Sequence, residues 1–202
     1  IMWIIKIGGS WLKNPSLQNL LLRIKKLRNK EIVIVPGGGS FADSIRDVYD
    51  KTKMSENLAN KLALKSTELF ADYLKELDND LCLIDNPRNF TKEKICVWLP
   101  SKKLSQNNSY KNNWDSTSDS VAAWLANNIM AEGIIFIKSL KEFKSKNKLY
   151  YLQNTNILDK NISIYLSGYN GLIKIVGLNI LKKLEKESSW SGFVKSLGDI
   201  EK

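Results

Sequence analysis

The chain has 202 residues, 43% of them hydrophobic, 26% charged and 9% aromatic, which excludes a collagen, a disordered tail and a membrane bundle. Lys and Arg number 31 against 21 Asp and Glu, a net charge of +10. That excess attracts nucleic acid, anionic membranes or phosphorylated small molecules, but the basic residues are scattered and form no dense run of the kind that marks a nucleic-acid patch. With no His and 2 Cys, a Ser-His-Asp triad, a Cys-His pair, a His-ligated zinc and an all-Cys zinc site are excluded.

Residues 2–7 (MWIIKI) form a short apolar run ending in Gly8-Gly9-Ser10, which predicts a buried strand running into a glycine turn. The run is too short for a secretory signal and is broken by Lys6. Asn14-Pro15 opens a helix in which Leu17, Leu20, Leu21, Ile24 and Leu27 recur opposite Arg23, Lys25, Lys26 and Arg28. EIVIV, residues 31–35, is a second buried strand. It breaks at Pro36-Gly37-Gly38-Gly39, and a helix follows from about Phe41 to Asp50. Strand, helix, strand, helix in that order imply a parallel sheet.

Residues 55–77 carry Leu58, Leu62, Leu69 and Leu74 on or near one helical stripe. LCLI (81–84) and ICVWLP (95–100) predict two further strands, and Cys82 and Cys96 within them read as buried small hydrophobes in a reducing compartment. Residues 101–113 are rich in Asn, Ser and Lys and predict a long loop, of a length that tends to be functional or disordered. A helix starts near Thr117 or Ser118, with Val121, Ala122, Leu125 and Ile129 at helical spacing. GIIFIK (133–138) is the next strand and Lys141–Lys148 a polar loop. The last third predicts a helix within 158–168, a strand at 172–176, a helix at about 178–187 and a short final strand around Phe193-Val194. There is no internal repeat, and no run approaches the roughly 18 apolar residues of a spanning helix. The expectation is one α/β domain over residues 1–202: a three-layer α/β/α sandwich around a mainly parallel sheet, cytoplasmic and without a membrane partner.

Four clusters carry chemistry. Lys6 followed by Gly8-Gly9-Ser10 sets an ammonium beside open backbone N–H groups, a phosphate cradle or else an ordinary strand-end turn. Gly37-Gly38-Gly39, between a buried strand and a helix that carries Asp43, suits a ligand touching the backbone at a helix N-terminus, or a tight loop without one. It is neither G-x-x-x-x-G-K-[ST] nor G-x-G-x-x-G. Trp114-Asp115-Ser116-Thr117-Ser118-Asp119-Ser120 sets carboxylates and hydroxyls at a helix start, to hold a lysine or help bind a metal, or simply to cap. Lys138-Ser139 is a second strand-end lysine. Ligands of open α/β sheets bind outside the carboxyl ends of the strands, so Lys6, the triple glycine and Lys138 together describe a phosphate-rich cleft.

These motifs, in this order, resemble the amino acid kinase superfamily, in which a strand ending Lys-x-Gly-Gly-Ser, a Gly-Gly-Gly loop and an Asp-bearing helix start build a phosphoryl-transfer site. Here they stand as KIGGS, PGGGSFADSIR and TSDSVAAWLA, and the resemblance runs from residue 2 to about 140. PGGGSFAD, WDSTSDSVAAWLA and FIKS are similar to one branch, the archaeal and methylotroph kinases of methanofuran biosynthesis, which convert [5-(aminomethyl)furan-3-yl]methyl phosphate to its diphosphate. The resemblance implies Mg2+ and ATP over the C-terminal half of the sheet and the acceptor over the N-terminal half. It implies Lys6 on the transferring phosphoryl group with Asp119 orienting it; Gly8, Gly9, Ser10, Lys138 and Ser139 on nucleotide or phosphate; and Gly37, Gly38, Gly39 and Asp43 on the acceptor, with no metal ligand from the protein. Asp43 and Glu56 are the acids considered for the aminomethyl group.

The chain has Ala59-Asn60 where that branch carries Ala-His, so no histidine role carries over. It is also shorter than most of the superfamily, which implies a trimmed nucleotide lobe. A homo-oligomer with a small phosphorylated substrate and no nucleic-acid partner is expected. The rivals are a related kinase acting on another phosphate or carboxylate, such as a nucleoside monophosphate, and a nucleotide- or oxyanion-binding protein that has lost turnover.

Overall fold

The structure, a computed structural model, describes residues 2–91 and 93–202. Six consecutive buried residues make the first strand, β1 (Met2–Ile7). Such unbroken apolar runs, rather than alternating ones, mark strands covered on both faces. β2 (Glu31–Pro36), β3 (Cys82–Ile84), β4 (Cys96–Trp98), β5 (Gly133–Ile137), β6 (Lys146–Lys148), β7 (Leu172–Val176) and β8 (Gly198–Glu201) complete one eight-stranded sheet in the order β3-β4-β2-β1-β5-β7-β8-β6. β1 lies between β2 and β5, parallel to both, and Lys6 sits in register with Val35 and Phe136. Among the described residues, β7 and β8 alone pair antiparallel.

Alternation along β1 feeds two separate cores, one on each face. Met2 and Ile4 join Trp98, Trp124, Phe136 and Tyr165 on one side. Trp3, Ile5 and Ile7 join Trp11, Phe70, Trp190 and Phe193 on the other. The first core is roofed by α5 (Ser118–Asn128), α6 (Leu149–Asn154) and α7 (Ile162–Leu166). The second is roofed by α1 (Leu17–Leu27), α8 (Ile180–Lys186) and α9 (Trp190–Ser196). α2 (Gly39–Lys51) and the long α3 (Glu56–Leu77) follow the second glycine turn, and α3 gives Leu64 to one core and Phe70, Ala71 and Leu74 to the other. The three-layer α/β/α architecture expected from the sequence is present. α5 is buried from Asp119 through Ala126, as a helix with apolar residues nearly all round must be. Among the described residues no helix is long and apolar enough to cross a membrane.

The differences from expectation are local. Phe193 and Val194 are helical, not a strand: Trp190, Phe193 and Val194 are spaced i, i+3, i+4 and buried on one face of α9, and the Ser189 hydroxyl caps its start by accepting from the Gly192 N–H. The final strand, β8, comes afterwards. Part of the polar stretch at 141–148 is β6, an edge strand that takes its register from β8 rather than from any apolar pattern of its own. Ser101–Leu104 forms one helical turn, α4, at the start of the expected loop.

Candidate active site

The C-terminal ends of β1, β2 and β5 open on a cavity of about 650 Å³, a size that suits a small-molecule ligand. Lys6 reaches it from the penultimate position of β1, and Lys138 from the residue following β5. Between them stands Asp119, in the first turn of α5, its own N–H bound by the Thr117 hydroxyl at 3.3 Å. Lys6 Nζ lies 2.7 Å from Asp119 Oδ1, and Lys138 Nζ lies 2.9 Å from Asp119 Oδ2 and 3.2 Å from Oδ1. One carboxylate thus bridges two ammonium groups, and Lys6 and Asp119 are each only 3% exposed.

Burial drives the electrostatics. Desolvation pulls the Lys6 ammonium down to about 8, against the opposing pull of Asp119, and Lys138 lowers it further. Desolvation pushes Asp119 the other way, but the two lysines outweigh it and hold the carboxyl at about 2. At neutral pH the trio therefore carries one net positive charge at the cavity wall. Each ammonium has three N–H donors, and the carboxylate does not use them all, so both lysines can also hold an anion.

Within each glycine turn the residues do not contribute equally. Gly9, Ser10, Gly38 and Gly39 line the cavity. Gly8 and Gly37 lie behind it, because their N–H groups continue the sheet ladder: Gly8 N donates to Ile137 O at 3.0 Å and Gly37 N to Ile7 O at 2.8 Å. Gly8 is therefore not available as the N–H donor to a ligand that its motif suggests. The turns also interlock. A Cβ on Gly9 would stand 2.6 Å from the Gly39 Cα, one on Gly37 would stand 2.5 Å from the Gly9 N, and Gly39 has a φ of +54°. Backbone meets backbone here, so part of the reason for glycine is turn-on-turn packing.

The remaining sequence candidates divide. Ser139 does not line the cavity, whereas Asp43 does. Asp43 bonds Arg46 at 2.9 Å, with 70% of its side chain exposed. Glu56 does not line the cavity; its Oε1 accepts the Trp114 N–H at 3.3 Å. Asn60, in the position where a histidine was expected, is buried on the wall, and its Nδ2 donates to Asn112 O at 3.2 Å.

Three features of the wall were missed, or no more than hinted at, by sequence reasoning. Lys13, exposed and one helical turn beyond Ser10, adds a cation. The segment 110–114 forms a side of the cavity through Tyr110, Asn112 and Trp114. It is tied down on both flanks, by Glu56 and Asn60 of α3 and by the Tyr165 hydroxyl of α7, which accepts from Lys111 N at 2.8 Å. The Trp114 ring packs 5.4 Å from Tyr49, with Arg46 5.6 Å above it. Finally, Asp159, from the turn between α6 and α7, reaches the start of α5 and lines the same cavity. The polar composition of 101–113 hinted at the second feature; Lys13 and Asp159 carry no local pattern that marks them.

Residues 2–148 match the amino acid kinase family. A [5-(aminomethyl)furan-3-yl]methyl phosphate kinase from Methanocaldococcus jannaschii is 33% identical over 165 residues, covering 77% of this chain and 75% of that protein. Among solved structures, uridylate kinase from Archaeoglobus fulgidus superposes with a TM-score of 0.69 at 15% identity, over 100% of both chains. UMP kinase from Ureaplasma parvum gives 0.65 at 17% identity, over 100% of this chain and 98% of that one. At those identities the two structures speak for the fold alone.

Proposed function

Because this chain belongs to the amino acid kinase family and is an ATP-dependent kinase, we propose that it phosphorylates a small phosphate monoester, [5-(aminomethyl)furan-3-yl]methyl phosphate, to the diphosphate. It would act in methanofuran-type one-carbon cofactor biosynthesis. The observation that carries this reading is the buried Asp119 carboxylate bridging Lys6 and Lys138 at the rim of the sheet; the relative from M. jannaschii supplies the choice of acceptor.

Phosphoryl transfer asks a protein for in-line positioning and charge stabilisation rather than covalent help. An oxygen of the acceptor phosphate attacks the γ-phosphorus of ATP, the bond to the bridging oxygen breaks, and ADP leaves. The acceptor oxygen is already ionised near neutral pH, so no general base is needed and a chain without histidine can do this. Lys6 stabilises charge on the group in flight, Lys138 holds nucleotide phosphates, and Asp119 favours the charged form of Lys6 and aims both ammonium groups. Gly9, Gly38 and Gly39 bring backbone close to the phosphates, with the acceptor over the N-terminal half of the sheet and the nucleotide over the C-terminal half. Mg2+ fits as an ion carried by the nucleotide: both Asp119 oxygens are engaged by lysines, and no group of three metal-ligating side chains stands together among the described residues. Lys6 and Lys138 would then hold the phosphates that hold the ion, which neutralises phosphate charge when bound.

The free thiols of Cys82 and Cys96 suit a cytoplasmic setting. The outward-facing Leu58, Leu69 and Tyr73 on α3 suit self-association.

The test is ADP release from Mg·ATP against a panel holding the furan phosphate, its analogue without the amine, UMP and a set of carboxylates. Preferred turnover of the aminomethyl compound supports the reading. Equal or better turnover of UMP or a carboxylate would replace the acceptor, and ATP binding with no ADP release from any member would leave a binding protein.

A further inference from the structure

Asp159 belongs to no helix or strand, yet its carboxylate makes four hydrogen bonds to a distant helix start. Its Oδ2 accepts from Thr117 N at 2.7 Å, Thr117 Oγ1 at 2.9 Å and Ser120 N at 2.9 Å, and its Oδ1 accepts from Ser120 Oγ at 2.5 Å. Thr117 and Ser120 stand on either side of Asp119. The turn that carries Asp159 is itself fixed. Gln153 Nε2 donates to the Asp159 and Lys160 carbonyls at 3.2 and 2.8 Å, and Asn161 is stitched to Asp115 O, Ser116 Oγ and Asn113 Oδ1 at 2.9–3.0 Å.

A carboxylate at a helix N-terminus is ordinary capping chemistry, but this one stands in a costly place. It is part-buried, and desolvation and then the like charge of Asp119 push its carboxyl upward, against the hydrogen bonds from Ser120 and Thr117. Thr117 already caps α5 with its own hydroxyl, so a cap alone does not account for a second, part-buried acid beside the first. The charged groups facing Lys6 are Asp119 of α5, Lys138 after β5 and Asp159 from this turn. Asp159 therefore acts on the site twice, once through geometry and once through charge.

We propose that Asp159 is a positioning residue for the reacting trio: its grip on Thr117 and Ser120 aims Asp119 at both ammonium groups, and its carboxylate adds a negative charge to the same wall. This rests on the kinase reading, since it takes Lys6 and Asp119 as the groups that serve phosphoryl transfer. It also links the two ends of the site, because the residue that sets the carboxylate comes from the half of the sheet assigned to the nucleotide.

The experiment uses the full chain with Asp159→Asn and Asp159→Glu. Two readouts are taken: steady-state kinetics against pH, and titration of the Lys6 side chain by NMR in the substrate-free protein. For Asp159→Asn, kcat should fall about 10- to 100-fold, the usual cost of losing a group that orients a reactive one, while KM for ATP holds. The alkaline limb of kcat/KM and the Lys6 titration should both move to lower pH, because a charge that favours the ammonium has gone. Asp159→Glu keeps the charge and should leave both near their original pH, even where rate is lost. An Asp159→Asn protein that melts earlier but keeps its kcat and its Lys6 titration would reduce Asp159 to a cap and overturn the proposal. If Asp159→Asn does not fold, Thr117→Ala and Ser120→Ala take its place, and full activity in both would overturn it equally. If the wild-type chain turns over no acceptor, the functional reading has failed, and the NMR titration still decides whether Asp159 holds the Lys6 charge.

Discussion

A lysine and an aspartate, each 3% exposed and 2.7 Å apart, survive burial only as a pair. Lys6→Ala should lower the rate of ADP release by about 10²–10³-fold, the range for removing one charge-stabilising donor; unchanged turnover would remove Lys6 from the chemistry. Because the Lys6 ammonium titrates near 8, kcat/KM for ATP should decline as pH rises through that value in the free enzyme. Asp119 gives the opposite limb of stability. Its carboxyl is held near 2, below its ordinary 3.8, so its contribution is fully present above 3.8 and is lost as pH falls towards 2. Asp119→Asn should flatten that part of a melting-temperature profile. Lys6, Lys138 and Asp119 were legible in the sequence because each ends or begins an element whose apolar pattern is plain. Asp159 was not, since its partners lie some forty residues away and nothing beside it in the chain is periodic.

At the level of elements, β1, β2, β4, β5 and β7 read correctly because continuous apolar runs buried on both faces leave little choice, and the short β3 was found as well. β6 was lost because Lys146-Asn147-Lys148 has no apolar signal. Phe193-Val194 was misassigned because two apolar residues fit either period, although Trp190 three positions earlier already supplied the helical spacing. The segment 110–114 gave only its polarity. What fixes it is long-range, Glu56 and Asn60 on one flank and Tyr165 on the other. Asn60→Ala removes the hydrogen bond to Asn112 O and should raise the KM for the acceptor while leaving that for ATP in place; parallel changes in both would show that the segment serves the whole cavity. Gly39→Ala should lower stability by about 1–3 kcal/mol in urea unfolding, since alanine strains at a φ of +54° and its methyl would stand 2.6 Å from Gly9 O.

Over the whole molecule, the layered architecture was the most legible feature, since alternation of β and α segments with short turns leaves few topologies. The antiparallel pairing of β7 with β8 was not readable, because it depends on which edge the last strand meets. The net charge of +10 belongs to this scale as well. Its scattered lysines make a weak, long-range attraction for polyphosphates, which salt screens over about 10 Å at 0.1 M. kcat/KM for ATP should therefore fall with rising ionic strength while kcat stays level. A flat salt profile would confine the electrostatics to the few groups at the rim.

The interlocked bends at Gly9 and Gly37–Gly39 also constrain how this enzyme could be rebuilt. Exchanging one of them for the equivalent from another kinase, with a side chain where glycine now stands, would drive a methyl into the opposing peptide. A working chimera must import both bends at once, so two motifs far apart in the chain are inherited as a single part.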